Sequence, residues 1–212
     1  RWEWQQRYPV IRISFADGVM QSREGLDERI REQLRVQREQ FGITQHHKTD
    51  IPGEFSALIR AAHQQSGQRV VVLIDEYDKP ILDNILVSER ARELREGLKN
   101  LYSVIKDADP HLHFVLLTGV SKFSKVSLFS GLNNLRDITL SPDYATLCGY
   151  TDDDIDTVFE PELSGLDRQE IKKWYNGYRW GGREVTSVYN PFDVLLLFQE
   201  QEFGPYWFES AT

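Results

Sequence analysis

The stretch Val70-Val71-Val72-Leu73-Ile74-Asp75-Glu76 decides how the rest of the chain is read. Its first five residues are all apolar and mostly β-branched, with none of the in–out alternation of a half-solvated strand. Such a run predicts a strand buried on both faces, as in a parallel sheet. It runs straight into two adjacent acids. Ligands of open α/β sheets bind outside the carboxyl ends of strands, so these acids stand where chemistry is expected.

Working outward, Val10-Ile11-Arg12-Ile13-Ser14-Phe15 lies between Pro9 and Asp17-Gly18 and reads as a strand ended by a turn. Two helices are predicted between these strands. The first carries Leu26, Ile30 and Leu34 on one stripe, with Gly42 just past its end. The second starts near Pro52, presents Phe55, Leu58, Ile59 and Ala62, and closes at Gly67. Downstream, Leu94, Leu98, Leu101 and Ile105 mark a long helix over residues 89–106, which Pro110 stops. Phe114-Val115-Leu116-Leu117 reads as another buried strand ending in Thr118-Gly119, and Asp137-Ile138-Thr139-Leu140 as a short further one. Strands alternating with helices at this spacing predict βαβ units in a parallel sheet, with right-handed crossovers placing helices on both faces.

The pattern changes after residue 145. Thr151-Asp152-Asp153-Asp154 opens a helix with acids at the positive end of its dipole. A second helix is predicted from Asp167 to Tyr175. Gly181-Gly182 predicts a hairpin turn between Tyr178-Arg179-Trp180 and the segment from Val185 to Tyr189. Asn190-Pro191 caps a last helix bearing Phe192, Leu195, Leu196 and Phe198. The expected organisation is a sheet-based core over residues 1–145 and a small, mostly helical lid or winged-helix-like subdomain over residues 146–212.

Composition narrows the function classes. With 212 residues, 40% of them hydrophobic, the chain can build a packed core. A net charge of -8 argues against a whole-surface binder of nucleic acid or anionic membrane. The single cysteine, Cys148, excludes an internal disulfide framework and a thiolate metal cluster, and is expected in a reducing, cytoplasmic compartment. No apolar run approaches the ~20 residues of a membrane helix. The chain opens at Arg1 with Trp2-Glu3-Trp4 and closes at Ala211-Thr212 after Tyr206-Trp207-Phe208, and is read as a fragment of a longer protein.

Asp75 and Glu76 carry the sharpest chemical signal. At the end of a buried parallel strand, one acid can hold Mg²⁺ and the next can orient and deprotonate an attacking water. Asp75 takes the metal role and Glu76 the base role. The plainer reading is a pair of solvated acids at a strand end. Thr118, at the tip of the neighbouring strand, is placed to contact a γ-phosphate or the water, although a Thr-Gly turn needs no such role. Ser121 and the Ser/Lys-rich residues after it could touch phosphate, but read more simply as a solvated loop. Trp174-Tyr175-Asn176-Gly177-Tyr178-Arg179-Trp180 surrounds one arginine with aromatics that read first as core. His46-His47 has no third ligand nearby, and no Gly-x-Ser-x-Gly elbow is present.

Four stretches then bring a family into view: Tyr8-Pro9-Val10-Ile11; Val72-Leu73-Ile74-Asp75-Glu76-Tyr77-Asp78-Lys79-Pro80; Leu117 to Asn134; and Trp174-Tyr175-Asn176-Gly177-Tyr178. A fifth, Tyr189-Asn190-Pro191-Phe192, also fits. Together they resemble the AAA-ATPase-like proteins of bacteria and archaea, often fused to a C-terminal restriction-endonuclease-like domain. The resemblance implies a three-layer P-loop fold, with Asp75 as the magnesium acid, Glu76 as the catalytic acid and Thr118 as the strand-end sensor. It implies ATP and Mg²⁺ as ligands, with a nuclease-like domain, nucleic acid or a second copy of the chain as compatible partners. Arg136, Arg179 and Arg183 are all candidates for an arginine donated to a neighbouring site.

One departure is large: no Gly-x-x-x-x-Gly-Lys-Ser/Thr occurs in the sequence. In the family that loop lies upstream of the strand at Val10. Its backbone N–H groups and lysine supply most of the phosphate grip, so this stretch alone is expected neither to bind nor to hydrolyse ATP appreciably. The loop-bearing strand is expected to fill a gap between the strands at Phe114 and Ile138. Two alternatives stay open: a non-catalytic regulatory or binding module with a degenerate site, and a metal nuclease built on Asp75, Glu76 and Lys79.

Overall fold

The computed structural model describes residues 5–44, 49–121, 128–129, 134–182 and 184–210. They fall into two compact units, Arg1–Leu135 and Arg136–Thr212. His46-His47, Lys122 to Ser127 and Arg183 lie outside the described residues.

The first unit is an α/β structure on a parallel sheet of three strands, β1 (Val10–Ser14), β2 (Val70–Asp75) and β3 (Leu112–Leu117), in the order β1-β2-β3. Helices α1 (Arg23–Gln40) and α2 (Ile51–Ser66) link β1 to β2. A short α3 (Lys79–Leu82) and a long α4 (Ser88–Asp107) link β2 to β3. Local chemistry fixes the ends. Ser22 accepts from the Gly25 N–H and Asp50 from the Gly53 N–H at the two N-termini, and Gly67 closes α2 in the left-handed region at φ 67°.

Register divides the sheet into two faces. Ile11 pairs with Val72 and Ile13 with Ile74, while Val72 pairs with Val115 and Ile74 with Leu117. Ile11, Ile13, Val72 and Ile74 are buried against Leu26, Ile30 and Leu34 of α1, Phe55, Leu58 and Ile59 of α2, and Leu94, Leu98 and Leu101 of α4. Each such side chain contributes roughly 1.5–3 kcal/mol relative to exposure. The other face carries Val10, Arg12, Leu73, Phe114 and Leu116, none of which belongs to that core, and Phe114 is 52% exposed.

Two expectations are corrected here. Among the described residues the first unit's long helices pack together on one face of the sheet, not on both. The strand order explains it. Successive right-handed crossovers that advance in one direction lay their helices on the same side, and the second side is used only where the order reverses. Residues 137–140 form no strand. The Asp137 carboxylate instead accepts from the Thr139 N–H at 3.0 Å, a local bond that competes with a ladder, and Leu140 is exposed. No gap therefore lies between β3 and a strand at Ile138.

The second unit contains α5 (Asp152–Thr157), α6 (Arg168–Tyr175), β4 (Asn176–Tyr178), β5 (Val188–Tyr189), α7 (Pro191–Glu200) and α8 (Tyr206–Ser210). Thr151 opens α5 as expected, and with Asp154 it forms a reciprocal capping box. Ile155, Ile171, Tyr175, Tyr189, Val194 and Leu197 make its core. The hairpin exists, with Asn176 opposite Tyr189, but β4 lies two residues earlier than expected, β5 is shorter than expected, and Trp180 lies beyond both. Among the described residues, no helix is long and apolar enough to cross a membrane.

Candidate functional site

The two acids sit where the apolar run delivers them, at the carboxyl end of the central strand. Asp75 is the last residue of β2. Its Oδ1 accepts a hydrogen bond from Thr118 Oγ1 at 2.7 Å, across from the end of β3. On the β1 side, Arg12 Nη2 lies 3.9 Å from Asp75 Oδ2, an exposed ion pair. Three adjacent strands therefore contribute one polar row: Arg12, Asp75 and Thr118.

Glu76 is held differently. Its φ is 51°, one of two positive values at described non-glycine residues. Its half-buried carboxylate has no hydrogen-bond partner among the described residues. The backbone around it departs from a regular ladder: Thr118 N–H donates to the Ile74 carbonyl at 2.9 Å, and the next bond to the Thr118 carbonyl comes from Tyr77 N–H, also at 2.9 Å. One residue, Glu76, is extra to the pairing, the arrangement of a β-bulge.

Beneath the row, Tyr77 and Asp78 lock the two strand ends together. Asp78 is fully buried. Its carboxylate accepts from the backbone N–H groups of Val120, at 3.3 Å, and of Ser121. The Tyr77 hydroxyl donates to the Ser121 carbonyl at 2.6 Å. Ser121 is thus anchored through its backbone. Gly119 lies between these groups: a Cβ there would stand 2.4 Å from Asp78 Oδ1 and 2.7 Å from the Tyr77 ring. Tyr102 closes the floor, its hydroxyl donating to the Tyr77 carbonyl at 3.0 Å, and burial pushes its phenol well above the usual tyrosine range.

Lys79, the cation of the nuclease alternative, is committed elsewhere. Its Nζ donates to the Gly18 carbonyl at 3.0 Å and pairs with Asp83 at 2.6 Å. Asn84 adds a second tie to the same loop, donating to the Met20 carbonyl at 2.8 Å. Among the arginine candidates, Arg136 pairs with Asp143 and lies over the Tyr144 ring within its own unit.

Sequence reasoning missed Arg12, Asp78 and Gly119. Asp78 and Gly119 carried a signal: a buried acid needs donors, and a glycine at a strand end often marks close approach. Arg12 carried none, because an arginine on an alternating strand reads as a solvated residue. A polar cluster in the second unit was also missed. Asp152 accepts from Arg168 at 2.8 Å, Lys172 at 2.7 Å and the Tyr189 hydroxyl at 2.6 Å. Burial alone would raise its carboxyl, but those hydrogen bonds hold it well below the usual carboxylate range.

Comparison with known proteins places the first unit in a family. A family model described as "Predicted AAA-ATPase" matches residues 1–129, which include Asp75, Glu76, Thr118 and Ser121. An Azotobacter chroococcum mcd 1 protein, described as an uncharacterized protein in the vnfD 5′ region, is 58% identical over all 212 residues. The chain spans 40% of that relative's length. No solved structure matches the chain. On the strength of a family match over residues 1–129, more than half of the chain, the chain belongs to the AAA-ATPase-like family.

Proposed function

We propose that Asp75, Glu76 and Thr118 form the cation-binding and water-activating half of a Mg-ATP hydrolysis site, completed in the whole protein by a phosphate-binding loop. The observation that carries this reading is the 2.7 Å hydrogen bond from Thr118 to Asp75 at the carboxyl ends of neighbouring parallel strands, with Glu76 next in sequence. The donor set suits the ion. Carboxylate and hydroxyl oxygens are the hard ligands that Mg²⁺ selects, and nothing soft stands among them. When bound, the ion supplies charge neutralisation along the triphosphate.

The chain's own residues supply the rest. Thr118 donates to one carboxylate oxygen of Asp75 and so fixes its orientation. Glu76, left without a competing donor by the bulge, accepts the proton of the attacking water. A positioned base of this kind contributes about 10²–10⁴ in rate. The P-loop strand adds to the outer edge of β3, which pairs on its other side with β2. That addition reverses the strand order beside Thr118 and creates the switch point at which open α/β sheets bind ligands.

The test uses the full-length protein. A Glu76→Gln variant binds ATP as tightly as wild type, while kcat falls by about 10²–10⁴ and KM changes little. A Glu76→Gln enzyme that turns ATP over at the wild-type rate refutes the assignment.

A further inference from the structure

Arg12 has no part in the reading above, yet among the described residues it is the cation that reaches Asp75. It lies on the open face of β1, two residues before the position paired with Asp75, and its side chain is 68% exposed. With Thr118 on Oδ1 and Arg12 beside Oδ2, each oxygen of the carboxylate has a neighbour. The two contacts differ in kind. Thr118 is a neutral donor that orients the carboxylate and keeps its oxygen available to a further ligand. Arg12 is a full positive charge, and a cation approaching Oδ2 would meet its repulsion.

We infer that Arg12 is a resident counter-ion of Asp75, which a divalent cation must displace, and that it thereby sets the cation affinity of the site. The inference rests on the assignment of Asp75 as the metal acid. Its physical basis is a comparison of two charges. At 3.9 Å and largely in solvent, the arginine pair contributes little stability, so it does not hold the site shut. Its repulsion of an incoming double charge is larger, because energy scales with the product of the charges. An exposed, weakly paired guanidinium therefore acts as a threshold: it leaves when a dication arrives with enough further ligands, such as a bound triphosphate, and otherwise keeps the site free of one.

The test is Mn²⁺ binding, measured by the loss of the free-ion electron paramagnetic resonance signal, in the absence of nucleotide. Arg12→Gln is expected to tighten Mn²⁺ binding about tenfold at low ionic strength. In 1 M KCl, where the screening length is about 3 Å, the gain shrinks below about threefold. Arg12→Lys keeps the charge and stays near wild type. Asp75→Asn removes the binding in both the wild-type and the Arg12→Gln background. Equal Mn²⁺ affinity in wild type and Arg12→Gln, with Asp75→Asn still abolishing it, overturns the role of Arg12 and leaves the metal acid standing. Absence of any Asp75-dependent binding, even in Arg12→Gln, overturns both.

Discussion

Placing one methyl group at Gly119 tests the geometry under the candidate site more directly than removing any acid. In Gly119→Ala the new Cβ would stand 2.4 Å from Asp78 Oδ1 and 2.7 Å from the Tyr77 ring, well inside contact distance. Neither neighbour can retreat. Asp78 is fully buried and bonded to the Val120 N–H, and the Tyr77 ring packs against Phe129 with centroids 5.3 Å apart. The overpacking costs about 1–3 kcal/mol. Displacing Asp78 also weakens its buried hydrogen bonds, for another 1–3 kcal/mol or so. A loss of about 3 kcal/mol overall corresponds to a melting temperature lower by roughly 6–12 °C for a chain of this size.

The matching control is Gly25→Ala in the first turn of α1, where the nearest atom to the new Cβ is Ser22 Oγ at an ordinary 3.5 Å. That change is stabilising by up to about 1 kcal/mol, because alanine loses less backbone entropy in a helix. Thermal melts followed by far-ultraviolet circular dichroism compare the two. Gly119→Ala melting within about 2 °C of wild type refutes the close packing of Tyr77, Asp78 and Gly119.

The left-handed backbone at Glu76 predicts that Glu76→Gly is at least as stable as wild type, while Glu76→Val, β-branched at φ 51°, is less stable by about 2 kcal/mol in urea unfolding. The Asp152 cluster predicts a pH dependence. Its carboxyl is held below its ordinary value of 3.8, so the stability it lends is fully present above that pH and is lost as pH falls toward the folded-state value. Because Asp152 is half-exposed the effect stays below about 1 kcal/mol. Asp152→Asn should flatten the acid limb below pH 4, read from the fluorescence of Trp174, Trp180 and Trp207.

What the sequence made legible is what is written in short-range pattern. The apolar run Val70 to Ile74 specified the central strand because burial on both sides leaves no polar position to tolerate. The helix starts at Thr151 and Asn190 were readable because each satisfies backbone donors within a few residues. The placement of Thr118 at the strand tip beside Asp75 was readable from strand adjacency; their hydrogen bond was not. What could not be read depends on register and order. Arg12 meets Asp75 only through the β1–β2 pairing, and Asp78 meets Val120 across a separation of 42 residues. Placing helices on both faces failed because the side a helix takes depends on whether the next strand advances or reverses, which periodicity does not encode. Asp137 to Leu140 has a strand-like composition, yet a side-chain acceptor two residues before Thr139 won against a ladder with no partner strand.

The order acid, acid, aromatic, acid at Asp75-Glu76-Tyr77-Asp78 has a physical logic that the bulge supplies. In an uninterrupted strand, Asp75 on the open face would be followed by Glu76 on the helix-covered face, among Ile13, Ile74 and Leu117. An unpaired carboxylate there is costly. Inserting Glu76 as an extra residue, with φ at 51°, breaks the alternation. Tyr77 then occupies the core that Glu76 would have entered, and the buried Asp78 accepts the amides of the following strand's loop. The backbone departure at one residue therefore gives two adjacent acids different surroundings. Asp75 is oriented by its neighbours on both sides, whereas Glu76 meets no described donor, the condition a proton acceptor requires.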